Sequence, residues 1–211
     1  MNSEILEKLG IIPNCIYETI FTTYNSDFRP NAAPMGIMTP DMEKIVARIF
    51  TSSQTYRNIS EMGCVVINIT GDVSLFYLTS IGKRHSYVEP EMFKRARNVD
   101  APILVSASAY IEAVVDRVER IDGERCEFMF SVTHGEIVDP RATPLCRAPN
   151  LILESIIHAT RIEVYKHIGD TERAEQLIEQ VRCYRELIKR IAKETKYDEL
   201  MERLWKDIQN L

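Results

Sequence analysis

Arg48-Ile49-Phe50-Thr51-Ser52-Ser53-Gln54-Thr55-Tyr56-Arg57-Asn58-Ile59-Ser60-Glu61-Met62-Gly63 is the stretch on which the reading of this chain turns. It follows an alternating run, Ile45, Ala47 and Ile49 against Val46, Arg48 and Phe50, which predicts a half-buried strand over 44–51. Hydroxyl residues then break the alternation. Ser52 or Ser53 suits a helix N-cap and Gly63 suits the stop beyond a C-terminus, so a helix of about two turns is expected between them. A helix N-terminus collects N–H groups without intrahelical acceptors and the positive end of the dipole, a natural seat for phosphate. Thr51, Ser52, Ser53 and Thr55 add hydroxyl donors there, and Arg48 and Arg57 add positive charge. The same residues also suit a capped helix that binds nothing.

Outward from this stretch, the chain to about Asp139 reads as short β-branched runs broken by turn residues. Residues 16–23, Ile16-Tyr17-Glu18-Thr19-Ile20-Phe21-Thr22-Thr23, are dense in strand formers, and Asn25-Ser26-Asp27 supplies a turn. Asn31-Ala32-Ala33-Pro34-Met35-Gly36-Ile37-Met38 is a poor ordinary strand. Its Pro and Gly predict a bulged or edge strand that lets something flat approach the backbone, or a bulge at a barrel corner. Cys64 to Thr70 predicts a buried strand with one polar residue, Asn68, and Leu75 to Ser80 a further strand. From Ala107 to Ile121 the pattern alternates, with Tyr110, Glu112, Val114, Asp116 and Val118 on one side. Asp122-Gly123 then turns the chain into a returning strand from Cys126 to Val138. Six or seven strands with tight turns and one inserted helix predict a barrel or sandwich. Three helices follow: one over 148–168 stopped by Gly169, one capped by Asp170 or Thr171 with an apolar stripe over 174–191, and one over about 196–209.

Bulk properties exclude several classes of function. With 45% hydrophobic and 27% charged residues the composition is globular rather than disordered. A formal net charge of −5 gives no reason to expect nucleic acid or an anionic membrane as partner. No run approaches the roughly 20 apolar residues of a membrane span, and Met1 to Leu6 lacks the basic and apolar regions of a signal peptide. The five cysteines are scattered without a CxxC pair, arguing against a zinc site or disulfide framework and for a reducing compartment, most simply the cytoplasm. Glu154, His158 and Arg161 share a helix face and are expected to form a solvated or interfacial row. His85, His134 and His167 lack metal spacing, Cys146 beside Arg147 is a thiol with one basic neighbour, and GxGxxG, GxxxxGK[ST] and HExxH are absent. No side chain is marked out as acid, base or nucleophile.

Glu18…Thr22-Thr23, Asn31-Ala32-Ala33-Pro34-Met35-Gly36, Arg48 with Ser52, Thr55 and Asn58, and Val66-Ile67-Asn68 occur in the order that resembles the FMN-binding split-barrel superfamily of flavin reductases and pyridoxamine-phosphate oxidases. More closely, the chain is similar to a mainly archaeal DUF447-type branch, whose helical region looks to begin at Arg147-Ala148-Pro149-Asn150. The resemblance implies a mainly β plus α chain: an antiparallel split β-barrel over 1–145, then about three helices over 146–211 packed on the barrel or dimer interface. It also implies FMN as cofactor. Arg48, Thr51, Ser52, Ser53, Thr55, Tyr56 and Asn58 would take the phosphate and ribityl end, and Met35, Gly36 and Ile37 would face the ring. Asn68 or Thr70 would lie at its rim. The resemblance further implies a homodimer with FMN near the interface, where Phe76-Tyr77 and Lys83-Arg84 of a second subunit are candidate ligands, and an oxidoreductase acting on a small-molecule donor and acceptor. Related folds leave a non-catalytic FMN carrier, or a barrel holding F420 or haem, as alternatives.

Overall fold

Apolar residues at period two, interrupted by turn residues, build the first unit as a sheet curled on itself. The computed structural model describes residues 2–80 and 89–211, and it divides into two units: Met1–Pro13 with Tyr17–Leu145, and Asn14–Ile16 with Cys146–Leu211. The principal strands of the first unit are β1 (Tyr17–Tyr24), β2 (Pro30–Met38), β3 (Lys44–Phe50), β4 (Cys64–Ile69), β7 (Ala109–Arg120) and β8 (Arg125–Ile137). Two short strands, β5 (Phe93–Arg95) and β6 (Pro102–Leu104), pair separately, and β9 (Leu145–Cys146) lies beyond them in the chain. Hydrogen-bonded neighbours run β2-β3-β8-β7-β4-β1, and pairing of β1 with β2 closes the ring. Every assigned register is antiparallel, giving the split barrel of the mainly β plus α class.

Inside the ring, Phe21, Phe128 and Phe130 are fully buried. Phe21 meets Phe130 edge-on at 5.8 Å, and Phe128 stacks on Phe130 at 5.9 Å. The opposite face of β1 and β4 is also covered. Ile20 and Ala32 pack with Leu75, Leu104 and Ala107, while Cys64, Val66 and Tyr110 pack with Ala96, Val99 and Ile103. β4, buried on both faces, accordingly reads as a nearly continuous apolar run, while β1 buries Thr19, Thr22 and Thr23 beside Ile20 and Phe21.

Three local findings depart from the sequence expectations. Leu75 to Ser80 is not a strand: Val73–Leu78 is a helix (α3), begun by Asp72, whose Oδ1 accepts from Ser74 N at 2.8 Å. A short apolar run carries no period, and the cap decides it. Strict alternation along β7 fails at irregularities between Glu112 and Ala113 and between Val115 and Arg117. Glu112 is buried, its carboxylate accepting from Arg97 N at 3.2 Å and Asn98 N at 2.6 Å. Finally, of the bulged or edge strand expected over 31–38 the bulge is absent against β1, since the register is unbroken from Tyr17↔Ile37 to Tyr24↔Pro30.

Asn2–Lys8 forms a helix (α1) against β8. Gly135 is the contact that permits this approach, because a Cβ there would stand 2.7 Å from Ile5 Cγ1. Gly135→Ala is expected to cost about 1–3 kcal/mol in urea unfolding through overpacking. The double variant with Ile5→Ala should recover part of that loss; failure to recover would place the strain elsewhere.

The second unit consists chiefly of three helices, α4 (Ala148–His167), α5 (Thr171–Ile191) and α6 (Lys196–Gln209). Gly169 at φ 79° separates the first two, and Asp170 and Thr195 cap the second and third. Ile162, Val181, Ile188, Met201 and Ile208 fill its core. Glu202 holds Arg185 with two 2.8 Å hydrogen bonds. His158 leaves the expected polar row: it is buried and stacks on Tyr184 at 6.0 Å, whereas Glu154 and Arg161 are exposed.

Candidate functional site

The expected short helix is α2 (Gln54–Met62). Ser53 is its N-cap, with Oγ accepting from Tyr56 N at 3.1 Å, and Gly63 at φ 68° ends it. Ser52 is exposed and Thr51 and Ser53 are half-buried, so the hydroxyl-rich entrance to the helix is open on one side. Thr51 Oγ1 donates to Glu124 O at 3.1 Å, and Arg57 Nη2 donates to Ser52 O at 3.0 Å, fixing the turn from both ends.

A polar knot ties this turn to the barrel. Asn31 Nδ2 donates to Thr23 Oγ1 and to Thr55 Oγ1, each at 3.2 Å. Asn58 Nδ2 donates to Thr23 Oγ1 at 2.9 Å and to Asn25 Oδ1 at 3.0 Å, while Gln54 Nε2 donates to Asn58 Oδ1 at 2.8 Å. Thr55 and Asn58 are buried, so their side chains set the position of α2 over β1 and β2. Thr23 and Asn25 complete this support; polar residues at the end of a β-branched run were its only sequence signal. Tyr56 packs edge-on against Phe128 at 5.8 Å.

Beside α2 the barrel is split. β2 pairs with β1 at eight positions but with β3 only at Ile37↔Ala47 and Met38↔Val46. Residues 30–36 therefore lack a ladder to β3, and their backbone edge on that side opens next to the α2 entrance. Had the ladder continued in register, Gly36 would stand opposite Arg48. Alternation sends Met35 and Ile37 to the face that carries Phe21, the cross-strand partner of Ala33. Ile37 is 2% exposed, whereas Gly36 lies on the other face. These three residues thus share a strand edge through their backbones and do not share a side-chain face. Arg48 is largely exposed on β3 and its Nε donates to Glu127 Oε2 at 2.9 Å.

Asn68 is not part of this strand edge or of the α2 entrance. It is completely buried, its Nδ2 donating to Ile20 O at 2.9 Å and Thr22 Oγ1 at 2.8 Å, its Oδ1 accepting from Leu104 N at 2.9 Å. Thr70 is buried and its Oγ1 accepts from Asp72 N at 3.1 Å. Tyr77 lies exposed on α3, and Lys83, Arg84 and His85 lie outside the described residues. A second polar group lies on β7 and β8, where Tyr110 donates to Glu136. Burial first, then that carboxylate, push the Tyr110 phenol up to about 12, and the same hydrogen bond lowers Glu136. Among the described residues no cluster of His, Cys, Asp and Glu is arranged to hold a metal ion, and no helix is long and apolar enough to cross a membrane.

A family model described as the N-terminal domain of DUF447, a protein of unknown function, matches residues 17–139, and a second DUF447 model matches 146–206. The chain belongs to the DUF447 family. Among solved structures, this DUF447 chain is similar to an FMN-bound DUF447 protein of Methanosarcina mazei, at 24% identity and a TM-score of 0.56, over 95% of this chain and 98% of that one. It is similar to an NADH:FAD oxidoreductase of Streptomyces globisporus, at 12% identity and a TM-score of 0.51, over 64% of this chain and 81% of that one. It is also similar to BorF, the flavin reductase component of a bacterial two-component tryptophan halogenase, at 14% identity and a TM-score of 0.50, over 62% and 92% of the two chains. At these identities the likeness is one of fold.

Proposed function

We propose that this DUF447 chain binds FMN in the groove between the open edge of β2 and the entrance to α2, and that it works as a flavin-dependent oxidoreductase. The observation that carries this reading is the juxtaposition of a strand edge that carries no ladder to β3, within residues 32–36, with a hydroxyl-rich helix N-terminus. FMN pairs a flat ring bearing polar edge atoms with a phosphate, and the groove offers the complementary groups in the same order. Backbone N–H and C=O groups of β2 suit the ring edge, and Ala32, Ala33 and Gly36 keep the strand slim. The first-turn N–H groups of α2, with the Ser52 and Ser53 hydroxyls, suit the phosphate. Arg48 supplies charge nearby, and Thr55 and Asn58 hold the turn in place.

Bound FMN supplies hydride and single-electron chemistry, so the protein need only bind, orient and tune it. That agrees with a groove holding donors and a cation rather than an acid–base pair. The fold likeness to flavoproteins points the same way. We further propose a homodimer, with Phe50, 54% exposed at the end of β3, as an apolar contact close to the groove. Five scattered cysteines without a CxxC pair suit a cytoplasmic setting.

The test is the visible spectrum of the purified chain, before and after heat release of ligand. Flavin absorbance with release of about one FMN per chain is expected. A colourless protein that takes up no added FMN overturns the reading, and a haem or deazaflavin spectrum replaces FMN by that group. Reduction of bound flavin by NADH, NADPH or a reduced deazaflavin then tests for an enzyme, as against a carrier.

A further inference from the structure

We propose that Cys15 and Cys146 form a redox clasp, a dithiol site that reacts with low-molecular-weight disulfides and closes to an intramolecular disulfide. The two residues are 131 positions apart in sequence, yet their Sγ atoms lie 3.2 Å from each other. Both belong to the helical unit, so the approach is internal to one folded body. An S–S bond is about 2.05 Å long, so closure requires the sulfurs to approach by only about another 1.2 Å. Ile16 N donates to Ile191 O at 2.7 Å, fixing the segment that carries Cys15, and Cys146 stands just before α4.

The two thiols differ in a way that orders the chemistry. Cys15 is completely buried and Cys146 is partly exposed. Cys146, at the positive end of a 20-residue helix, is the thiol a small disulfide meets. Its thiolate attacks one sulfur of the small disulfide, forming a mixed disulfide and expelling one small thiolate. Cys15 then gives up its proton, attacks the Cys146 sulfur and expels the second. Two protein thiols are oxidised by two electrons, and one small disulfide is reduced to two thiols. Tyr197 adjoins the pair: burial, then negative charge on Cys146 and Cys15, push its phenol up, so it stays protonated beside a forming thiolate.

The clasp has a mechanical consequence. Cys15 precedes β1 and Cys146 ends β9, so the bond would tie the chain together at the two ends of the barrel sequence. Cross-links across long loops restrict the unfolded chain most. Of the other cysteines, Cys64 and Cys126 are buried in strands and Cys183 is exposed on α5. Cys183 is thus the competing thiol that the test must separate.

The full chain, reduced and freed of reductant, is incubated folded with oxidised glutathione and mapped by mass spectrometry without reduction. The expected result is a Cys15–Cys146 linked peptide and a higher thermal midpoint, both reversed by dithiothreitol. Cys15→Ser should instead accumulate a glutathione adduct on Cys146, and Cys146→Ser should leave Cys15 unmodified. Modification of Cys183 alone, or a Cys15–Cys146 link that forms only in the urea-unfolded chain, overturns the proposal. The readouts are covalent and do not depend on flavin binding.

Discussion

Ser52→Asp is expected to weaken FMN binding by at least about tenfold, or 1.4 kcal/mol, while leaving riboflavin binding and the fold intact. Ser52 lies one residue ahead of the Ser53 cap and is exposed, so the new carboxylate disturbs no packed contact. A carboxylate near a helix N-terminus is itself favourable, which protects α2 from the substitution. A phosphate seated on the same N–H groups carries about −1.5 to −2 charges and would meet that carboxylate within a few ångströms. At the effective dielectric of a protein surface, charges at such separations repel by about 1–4 kcal/mol. Riboflavin has the ring and ribityl chain without the phosphate, and so is blind to the new charge. Calorimetric titration of both ligands distinguishes the cases. Equal weakening of FMN and riboflavin would mean a damaged groove, and no weakening of either would put the phosphate elsewhere.

The candidate site was half legible. Strand alternation ending at Phe50, the Ser53 cap and the Gly63 stop are all local signals, so α2 and its hydroxyl-rich entrance could be read directly. Pro34 and Gly36 signalled an edge, and β2 does have one, toward β3. The reason given by the sequence was incomplete, because β2 is regular against β1 and opens only where β3 diverges. That divergence is a relation between strands and leaves no mark on either alone. The resemblance placed Thr55 and Asn58 among the ligands; their hydrogen-bond partners Thr23, Asn25 and Asn31 sit more than twenty residues earlier, where spacing rules do not reach. His158 is the helical counterpart. At i, i+4 and i+7 the residues Glu154, His158 and Arg161 share a broad stripe, but His158 lies to one side of the other two, which here is the core side.

Asn68 shows most clearly how position overrides residue type, and its removal should have the largest effect on stability. The resemblance offered Asn68 or Thr70 as a polar contact at the ring's rim, and here both ends of the Asn68 amide are used inside the protein. It joins β1, through Ile20 and Thr22, to β6, through Leu104 N, across a surface that excludes water. Asn68→Ala strands the Leu104 N–H, which is worth about 1–3 kcal/mol, loses two further hydrogen bonds and opens a small cavity. A loss of about 3 kcal/mol or more is expected in urea unfolding. Hydrogen exchange at the Leu104 amide should accelerate beyond what the global loss explains, because β5 and β6 are tied to the barrel at that point. Arg48→Ala, which breaks a solvated ion pair, should cost under about 1 kcal/mol. The comparison decides what Asn68 is for. If Asn68→Ala leaves stability unchanged and instead alters the spectrum of bound flavin, the amide faces a ligand after all and its hydrogen bonds within the barrel wall do not hold β6 in place.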